Sequence, residues 1–261
     1  MTPELPASYR EVTELPGQPA SRIQLEMLEA RYAWAAGQAG EKDILEAACG
    51  AGLGLPALAA VARTVKAGDI DPENLQAAAA VCAGRPNTAV RAFDAGELPF
   101  HGESFDLVLL FEAVYYLADL QRFLNETQRV LRPGGKLLMV TVNPEWDGFN
   151  PSPLCTRYWF AADLLAALHE GGFAARLQGA FPETTGWTAA ATRWVRRRAV
   201  ALRLVPRTMR GKALLKRIFY GPLRAVPGRA GASTLPTLDE IGPAGSRRHR
   251  VLYATAQKRA V

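Results

Sequence analysis

The chain has 261 residues, 49% hydrophobic and 21% charged, and this composition excludes disordered, collagen-like and disulfide-rich proteins. Its net charge of +6 depends on twelve bases between Glu183 and Asp239, a stretch without acids, so the total gives little support to a nucleic-acid partner. No apolar run approaches the roughly 18–20 residues of a membrane span, the three cysteines form no CxxC pair, and no secretory signal pattern opens the sequence, so we expect a cytoplasmic protein.

Predicted helices and strands alternate along most of the chain, and the strands are apolar enough to be buried on both faces. In chain order, the expected elements are a helix at 21–32, a strand at 43–48, a helix at 53–62, a strand at 64–68, a helix at 71–84, strands at 89–93 and 105–111, a helix at 117–131, a strand at 136–142, a helix at 160–170, and strands at 174–177 and 249–256. This order predicts an α/β fold with a Rossmann-like, doubly wound, seven-stranded and mostly parallel sheet.

Changes in composition predict the domain boundaries. We expect an N-terminal helical cap at 1–40, a core formed by 41–183 and 246–261, and a basic helical insertion at 184–245, before the last strand. Within the insertion, Met209–Tyr220 has apolar side chains on one helical face and bases on the other, which predicts a basic amphipathic helix. Such a helix could cover an active site, form a homodimer contact, or make a peripheral membrane contact at the inner face through 193–220.

A glycine loop at 49–54 joins the first core strand to the next helix. Glycines let the backbone turn sharply and let a ligand approach it closely. Asp69 and Asp94 follow the next two strands, where they could accept hydrogen bonds from the ribose hydroxyls and the adenine amino group of an adenosine ligand. A nicotinamide-dependent oxidoreductase is the weaker alternative, because Leu55 stands where the dinucleotide fingerprint requires glycine or alanine.

Four stretches resemble, in order and spacing, the class I S-adenosylmethionine-dependent methyltransferases: ILEAACGAGLG, VKAGDIDPENL, VRAFDAGELPFHGESFDLVLLFEAVYYL and RVLRPGGKLLMVTVNP. The resemblance implies S-adenosyl-L-methionine as cofactor, with Glu46 and the Gly50–Gly52 backbone at its methionine end, Asp69 at the ribose, and Asp94 with Ala95 at the adenine. The family commonly has glycine at the position of Ala48. The predicted cofactor-binding residues are Glu46, Ala48, Gly50, Gly52, Asp69, Ile70, Asp94, Ala95 and Phe111.

Methyl transfer from a sulfonium mainly requires alignment and the exclusion of water, with a general base if the acceptor is a hydroxyl. The predicted catalytic residues are Glu112, Tyr115 and Tyr116, which directly follow the strand 105–111 beside the cofactor. Acidic residues are too few near the later strands to predict a metal site.

The family's acceptor usually lies under the N-terminal helix and the loop after 136–142. The resemblance therefore implies these acceptor-site candidates: Arg31, Tyr32, Asn143, Asn150, Arg157 and Tyr158. We expect O-methylation of a small or lipid-linked acceptor, which could be a sugar. N- or C-methylation of a small metabolite is an alternative, as is a partner subunit that binds the cofactor without catalysis.

Overall fold

The computed structural model describes residues 13–152, 155–183, 222–231 and 235–259. The predicted amphipathic helix at Met209–Tyr220, and with it the predicted membrane contact through 193–220, lies outside these residues. Among the described residues, no helix has both the length and the apolar character needed to cross a membrane.

The described elements follow the predicted alternation of strands and helices. In chain order they are β1 (Pro19–Ala20), α1 (Arg22–Ala39), β2 (Asp43–Ala47), α2 (Leu55–Ala59), β3 (Thr64–Asp69), α3 (Pro72–Cys82), β4 (Thr88–Ala92), β5 (Phe105–Phe111), a 3₁₀ turn (Val114–Tyr116), α4 (Leu120–Val130), β6 (Leu131–Val142), α5 (Ala161–Glu170), β7 (Phe173–Pro182), β8 (Arg224–Ala225), β9 (Asp239–Ile241) and β10 (His249–Lys258).

The main sheet has the strand order β4-β3-β2-β5-β6-β10-β7-β9. The strands from β4 to β6 are parallel, whereas β10 pairs antiparallel with both β6 and β7. The direction of strand order reverses between β2 and β5, and in open α/β sheets ligands bind beside such a switch point, outside the carboxyl ends of the strands. The predicted doubly wound, mostly parallel fold is confirmed.

Among the described residues, eight strands form this sheet, where the sequence predicted seven. The additional strand is β9, which pairs antiparallel with β7 through Leu177↔Ile241 and its neighbours. Because β9 lies within 184–245, the last part of the predicted insertion belongs to the core sheet. Its three residues were too short a run for a strand to be recognised in the sequence.

Side-chain caps fix where most of the helices begin. Ser21 forms a capping box with Gln24 at the start of α1, Asp71 accepts the Glu73 backbone N–H at the start of α3, and Asp119 caps α4. The predicted helix at 117–131 therefore begins later, after a 3₁₀ turn. Helix α2 has no side-chain cap and is only Leu55–Ala59, shorter than the predicted 53–62.

Apolar side chains cover both faces of the sheet. In β5, Leu107 and Leu109 pack with α1, α2 and α3 on one face, whereas Val108 and Leu110 pack with α4 and α5 on the other. All four side chains are buried. Such alternation within a continuous apolar run is the pattern of a strand that is buried on both faces.

An ionic network joins the amino ends of the central strands, at the edge of the sheet opposite the carboxyl ends. Asp43 at the start of β2 accepts hydrogen bonds from Thr64 at 2.8 Å, Arg63 at 2.5 Å and Arg132 at 2.9 Å. Arg132 also pairs with Asp106 of β5 at 2.9 Å. The hydrogen bond from Arg63 is the main cause that holds the pKa of Asp43 well below its usual range.

Candidate active site

A cavity of about 460 Å³ lies at the carboxyl ends of the parallel strands. Its walls include Ala48 after β2, Asp69 at the end of β3, Asp94 after β4 and Phe111 at the end of β5. Helix α1 and the segment 13–14 form the opposite wall. The cavity therefore lies where the fold places ligand sites.

The glycine loop contributes both cavity wall and close packing. Gly50 and Ala48 line the cavity, with φ angles of 53° and 55°. Gly52 does not line it: a Cβ on Gly52 would stand 2.8 Å from the Cβ of Ala78 in α3, and one on Gly54 would overlap the Tyr32 ring. Gly52 was predicted to contact the cofactor, but it lies outside the cavity wall. Its lack of a side chain instead lets the loop pack against α3.

The two strand-end acids face the cavity together, as their positions in the sequence indicated. Asp69 is buried and accepts the backbone N–H groups of Gly50 at 2.8 Å and Asp71 at 2.9 Å. Asp94 accepts the backbone N–H of Gly96 at 2.7 Å. Carboxylate oxygens can accept further hydrogen bonds, so both remain able to bind ligand hydroxyl or amino groups.

Apolar side chains lie beside these acids in the cavity wall. Ile70 is 43% exposed, unusually open for a large aliphatic side chain in this structure, and it lines the cavity together with Phe93 and the buried Ala95. Phe111 also lines the cavity, with its ring centroid 5.5 Å from that of Tyr32. An apolar surface beside acids suits a ligand with a flat ring and polar edges.

Glu46 is a buried carboxylate that does not itself line the cavity. It accepts the hydroxyl of Tyr32 at 2.7 Å, and Tyr32 does line the cavity. Burial raises the pKa of Glu46 to about 7. Its Oε2 atom is buried without a hydrogen-bond partner. The role predicted for Glu46, at the methionine end of the cofactor, would use such a free acceptor atom.

The three predicted catalytic residues all line the cavity after β5. The Tyr115 hydroxyl donates to Oε2 of Glu112 at 3.0 Å. Burial raises the pKa of the Glu112 carboxyl to about 7, against the opposing effect of Arg31. Burial also raises the pKa of Tyr115 well above its usual value, and that of Tyr116 to about 12.

Arg31 of α1 is a buried cation in the cavity wall, with only 8% of its side chain exposed. Its Nη2 donates to Oε2 of Glu14, whereas its Nε has no partner. Burial acts to lower the pKa of the guanidinium, but the charges of Glu14 and Glu112 outweigh it and raise this pKa. The Tyr32 ring lies 5.6 Å from the guanidinium.

Of the six acceptor candidates, only Arg31 and Tyr32 line the cavity; the other four do not. The side-chain amide of Asn143 is buried and donates to the carbonyls of Ser246 and His249, so it holds two loops together. Asn150 is exposed, and Arg157 lies 4.1 Å from the Trp159 ring centroid. Tyr158 packs behind Tyr115 at 5.7 Å between ring centroids. The loop after β6 therefore packs against the 246–249 loop and the Tyr115 turn, and an acceptor contact for these four residues stays a prediction.

Several polar cavity residues were missed in the sequence, among them Thr13, Glu14 and Asn74. Asn74 donates to the Thr13 hydroxyl at 3.2 Å and to Asp69 at 3.4 Å, so it joins the N-terminal segment to the predicted ribose site. Among the described residues, no group of three or more His, Cys, Asp or Glu side chains could hold a metal ion.

Part of this chain is similar to known proteins. A family model described as a methyltransferase domain matches residues 45–139. A probable S-adenosylmethionine-dependent methyltransferase of Mycolicibacterium smegmatis is 34% identical over 165 residues, 61% of this chain and 62% of that protein. Residues 45–139 thus form a methyltransferase domain, over which the chain is similar to class I S-adenosylmethionine-dependent methyltransferases. The family and the fold imply S-adenosyl-L-methionine as the cofactor of this methyltransferase domain.

Two further relatives of the methyltransferase domain have more specific names. A ubiquinone biosynthesis O-methyltransferase of Bartonella tribocorum is 33% identical over 109 residues, 41% of this chain and 44% of that protein. Phthiotriol/phenolphthiotriol dimycocerosates methyltransferase 1 of Mycobacterium ulcerans is 38% identical over 114 residues, 41% of each chain. The chain thus spans less than two thirds of the length of each of these three relatives.

Solved structures agree with the methyltransferase fold. The crystal structure of a Bacillus halodurans protein described as a candidate methyltransferase matches 91% of this chain and 98% of its own, with a TM-score of 0.56 and 22% identity. The [4+2]-cyclase SpnF covers 95% of this chain and 86% of its own, with a TM-score of 0.58 and 19% identity. Because a protein named as a cyclase shares the fold, the fold alone does not establish the reaction.

Proposed function

We propose that this chain transfers the methyl group of S-adenosylmethionine to a hydroxyl of a small or lipid-linked acceptor. The observation that carries the proposal is Glu112, a carboxyl in the cavity wall whose pKa burial raises to about 7. A base with a pKa near the operating pH is the group that hydroxyl methylation needs and that mere cofactor binding does not.

The cofactor is proposed to lie along the strand-end acids. Asp69 would hold the ribose, Asp94 and Ala95 the adenine edge, and Ile70 one face of the adenine ring, because all four line the same cavity. The Gly50 backbone and the buried acceptor atom of Glu46 would hold the methionine end. S-adenosylmethionine supplies an activated methyl group when bound, so the remaining task of the chain is alignment and proton removal.

Glu112 is proposed to accept the proton of the acceptor hydroxyl. The Tyr115 hydroxyl, 3.0 Å from Oε2, orients the carboxylate and keeps it from turning away. Arg31 stabilises the ionised form, so that burial does not leave Glu112 permanently protonated. The apolar side chains of Met27, Leu28 and Leu117 in the cavity wall would exclude water around the reacting atoms.

Two of the relatives support the acceptor class. One is named as a ubiquinone biosynthesis O-methyltransferase and the other as a phthiotriol/phenolphthiotriol dimycocerosates methyltransferase. Each matches about two fifths of this chain, so hydroxyl acceptors with lipid character come to this chain as a proposal. We further propose that the enzyme is cytoplasmic, contacts the membrane surface through 193–220 and forms a homodimer.

The test is to incubate the full chain with methyl-labelled S-adenosylmethionine and cell extracts that have been separated into aqueous and lipid fractions. We expect the label in a methyl ether, from which mild base does not release the labelled methyl group. Labelled amines or carbon skeletons would favour the N- or C-methylation alternatives. Binding of S-adenosylhomocysteine without transfer to any fraction would support a cofactor-binding partner subunit instead.

A further inference from the structure

A histidine at the start of β10 joins a serine to a carboxylate. Nδ1 of His249 lies 2.7 Å from the Ser246 hydroxyl, and Nε2 lies 2.7 Å from Oδ2 of Asp239 in β9. Because a carboxylate accepts hydrogen bonds, Nε2 carries the proton, and Nδ1 of the neutral ring accepts the hydrogen of the Ser246 hydroxyl. A nucleophile bonded to a base that an acid orients is the arrangement that activates serine. The two ring nitrogens are used in the opposite order to the usual serine triad, but the proton is handled in the same way.

The sheet leaves the space that the histidine ring needs. Strand β7 lies between β10 and β9, so a side chain on β10 must cross β7 to reach Asp239. At the crossing, β7 has Gly179, which pairs with Asp239. A Cβ on Gly179 would stand 2.5 Å from Cγ of His249. The ring therefore lies directly on the β7 backbone, and the His249 side chain is only 6% exposed. The position of the base is fixed by the fold.

The serine is held beside this ring by backbone contacts. The Ser246 hydroxyl oxygen accepts the backbone N–H of Arg248 at 3.3 Å. The buried side-chain amide of Asn143 donates to the Ser246 carbonyl at 2.6 Å and to the His249 carbonyl at 2.8 Å, so one side chain fixes the nucleophile and the base relative to each other. Ser246 is half-buried and the Asp239 side chain is 51% exposed, so the site is open to small molecules.

We propose that Ser246 and His249 form a catalytic site separate from the methyltransferase cavity, and that this site hydrolyses small esters. Asp239 is a positioning residue, because it holds the ring in the tautomer that accepts the serine proton. None of the three lines the methyltransferase cavity, so the proposal does not depend on methyl transfer. Since the site is open to solvent, we expect it to prefer small esters with a good leaving group.

The reaction needs only the ester and water. Oγ of Ser246 attacks the carbonyl carbon of the ester while Nδ1 of His249 takes the hydroxyl proton. The bond from the carbonyl carbon to the leaving alcohol then breaks, and the alcohol takes the proton from Nδ1. Water repeats both steps on the acyl-serine, which releases the acid and restores the hydroxyl. The backbone N–H of Arg248 is a donor beside the carbonyl oxygen as its negative charge develops.

The first experiment treats the full chain with a fluorophosphonate probe and locates the label by mass spectrometry. An activated serine displaces fluoride from the probe and forms a phosphorus–oxygen bond. We expect the label on Ser246 and its loss in Ser246→Ala. The matched control is Ser104→Ala, because the Ser104 hydroxyl donates to the backbone carbonyl of His101 at 2.9 Å rather than to an imidazole. This control should leave the labelling of Ser246 unchanged.

The second experiment follows the hydrolysis of 4-nitrophenyl acetate. Ser246→Ala should lower the rate to that of the uncatalysed reaction. Asp239→Asn should lower kcat about 10-fold or more with KM nearly unchanged, because the ring loses the partner that fixes its tautomer. Asp163→Asn is the control, since Asp163 pairs with Arg157 at 3.4 Å on the surface, and it should leave kcat unchanged.

The same samples separate this site from the proposed methyl transfer. Calorimetry with S-adenosylhomocysteine and thermal melting check that each variant is folded, and Ser246→Ala should bind this nucleoside as tightly as the wild type does. A wild-type chain that takes no label on Ser246, or ester hydrolysis that survives Ser246→Ala, would overturn the second site and leave the proposed function standing. If Asp239→Asn does not fold, Ser246→Ala alone decides, because it removes a single oxygen atom from a half-buried side chain.

Discussion

Ala48 has a left-handed backbone conformation that favours glycine, with a φ angle of 55°. An L-residue there costs about 1–2 kcal/mol, part of which Ala48→Gly should recover. The greater freedom of glycine in the unfolded chain offsets some of the gain. We expect the free energy of unfolding to rise by up to about 1 kcal/mol in urea denaturation.

The matched control for Ala48→Gly is Ala79→Gly. Ala79 is exposed in α3, where the backbone is helical and alanine is the favoured residue. Glycine there should lower the free energy of unfolding by about 0.5–1 kcal/mol. Equal losses at both positions would show that the loop does not strain Ala48.

Glu112 gives the proposed reaction a defined pH dependence. A general base acts in its ionised form, so with a pKa of about 7 kcat/KM should fall about tenfold per pH unit below that pH and level off above it. Glu112→Gln should lower kcat by roughly 10²-fold and remove this limb of the profile, while the affinity for S-adenosylhomocysteine stays nearly unchanged. If Glu112→Gln left the pH profile unchanged, the group that titrates would be a residue other than Glu112.

The cavity residues that directly follow strands were predictable from the sequence, because the carboxyl ends of parallel strands lie at the same edge of the sheet. The cavity accordingly contains Asp69, Asp94 and Glu112. Glu14 was not predictable, since it comes from a segment without periodicity and reaches the site only through its ion pair with Arg31. Asn143 has the right position after β6, but its amide pairs with backbone carbonyls that only the folded chain brings near.

At the scale of elements, the ionic network at Asp43 joins the amino ends of β2, β5 and β6. Asp43→Asn should lower the free energy of unfolding at pH 7 by about 1–2 kcal/mol, between the values for exposed and buried pairs. The pKa of this carboxyl is lowered in the folded chain, so its contribution is complete above the unfolded value of about 3.9. It begins to decline as the pH falls below that value and is lost only as the pH falls through the folded value, so the stability difference between mutant and wild type should begin to shrink below about pH 4.

The control at this scale is Asp163→Asn. Asp163 pairs with Arg157 at 3.4 Å, and both side chains are at least half exposed. Removing such a pair should change the stability by less than about 0.5 kcal/mol at any pH. If Asp163→Asn lowered the free energy of unfolding as much as Asp43→Asn does, the sharing of Asp43 among several donors would add nothing to stability.

Elements with strong local signals were predicted closely. Strand β5 has its predicted bounds, because Phe105–Phe111 is apolar at every position except Asp106, a pattern typical of a buried strand. Helix α2 is shorter than predicted at both ends, and no side-chain cap marks its start. Strand β9 was missed because its pairing with β7 depends on residues about 60 positions away. Nonlocal pairing of a short strand leaves no local pattern in the sequence.

At the scale of the whole molecule, the described residues should unfold together. Segment 222–231 pairs with β1 and donates from the Ala230 backbone to Leu53 in the glycine loop, and β9 joins the main sheet. We therefore expect one calorimetric transition. S-adenosylhomocysteine at about 100 times its Kd should raise the stability by about 2.7 kcal/mol and shift this transition as a whole. Two transitions, of which only one shifts, would indicate a separate insertion domain.

The position of β10 also determines the order in which the sheet can be completed during synthesis. Strand β10 is the link between β6 and the pair β7–β9, and it is translated after every other described strand. Until residues 249–258 leave the ribosome, β6 and β7 each keep an unpaired edge. At about 5–20 residues per second, the interval from Pro182 to β10 lasts several seconds, long enough for a chaperone to find those edges.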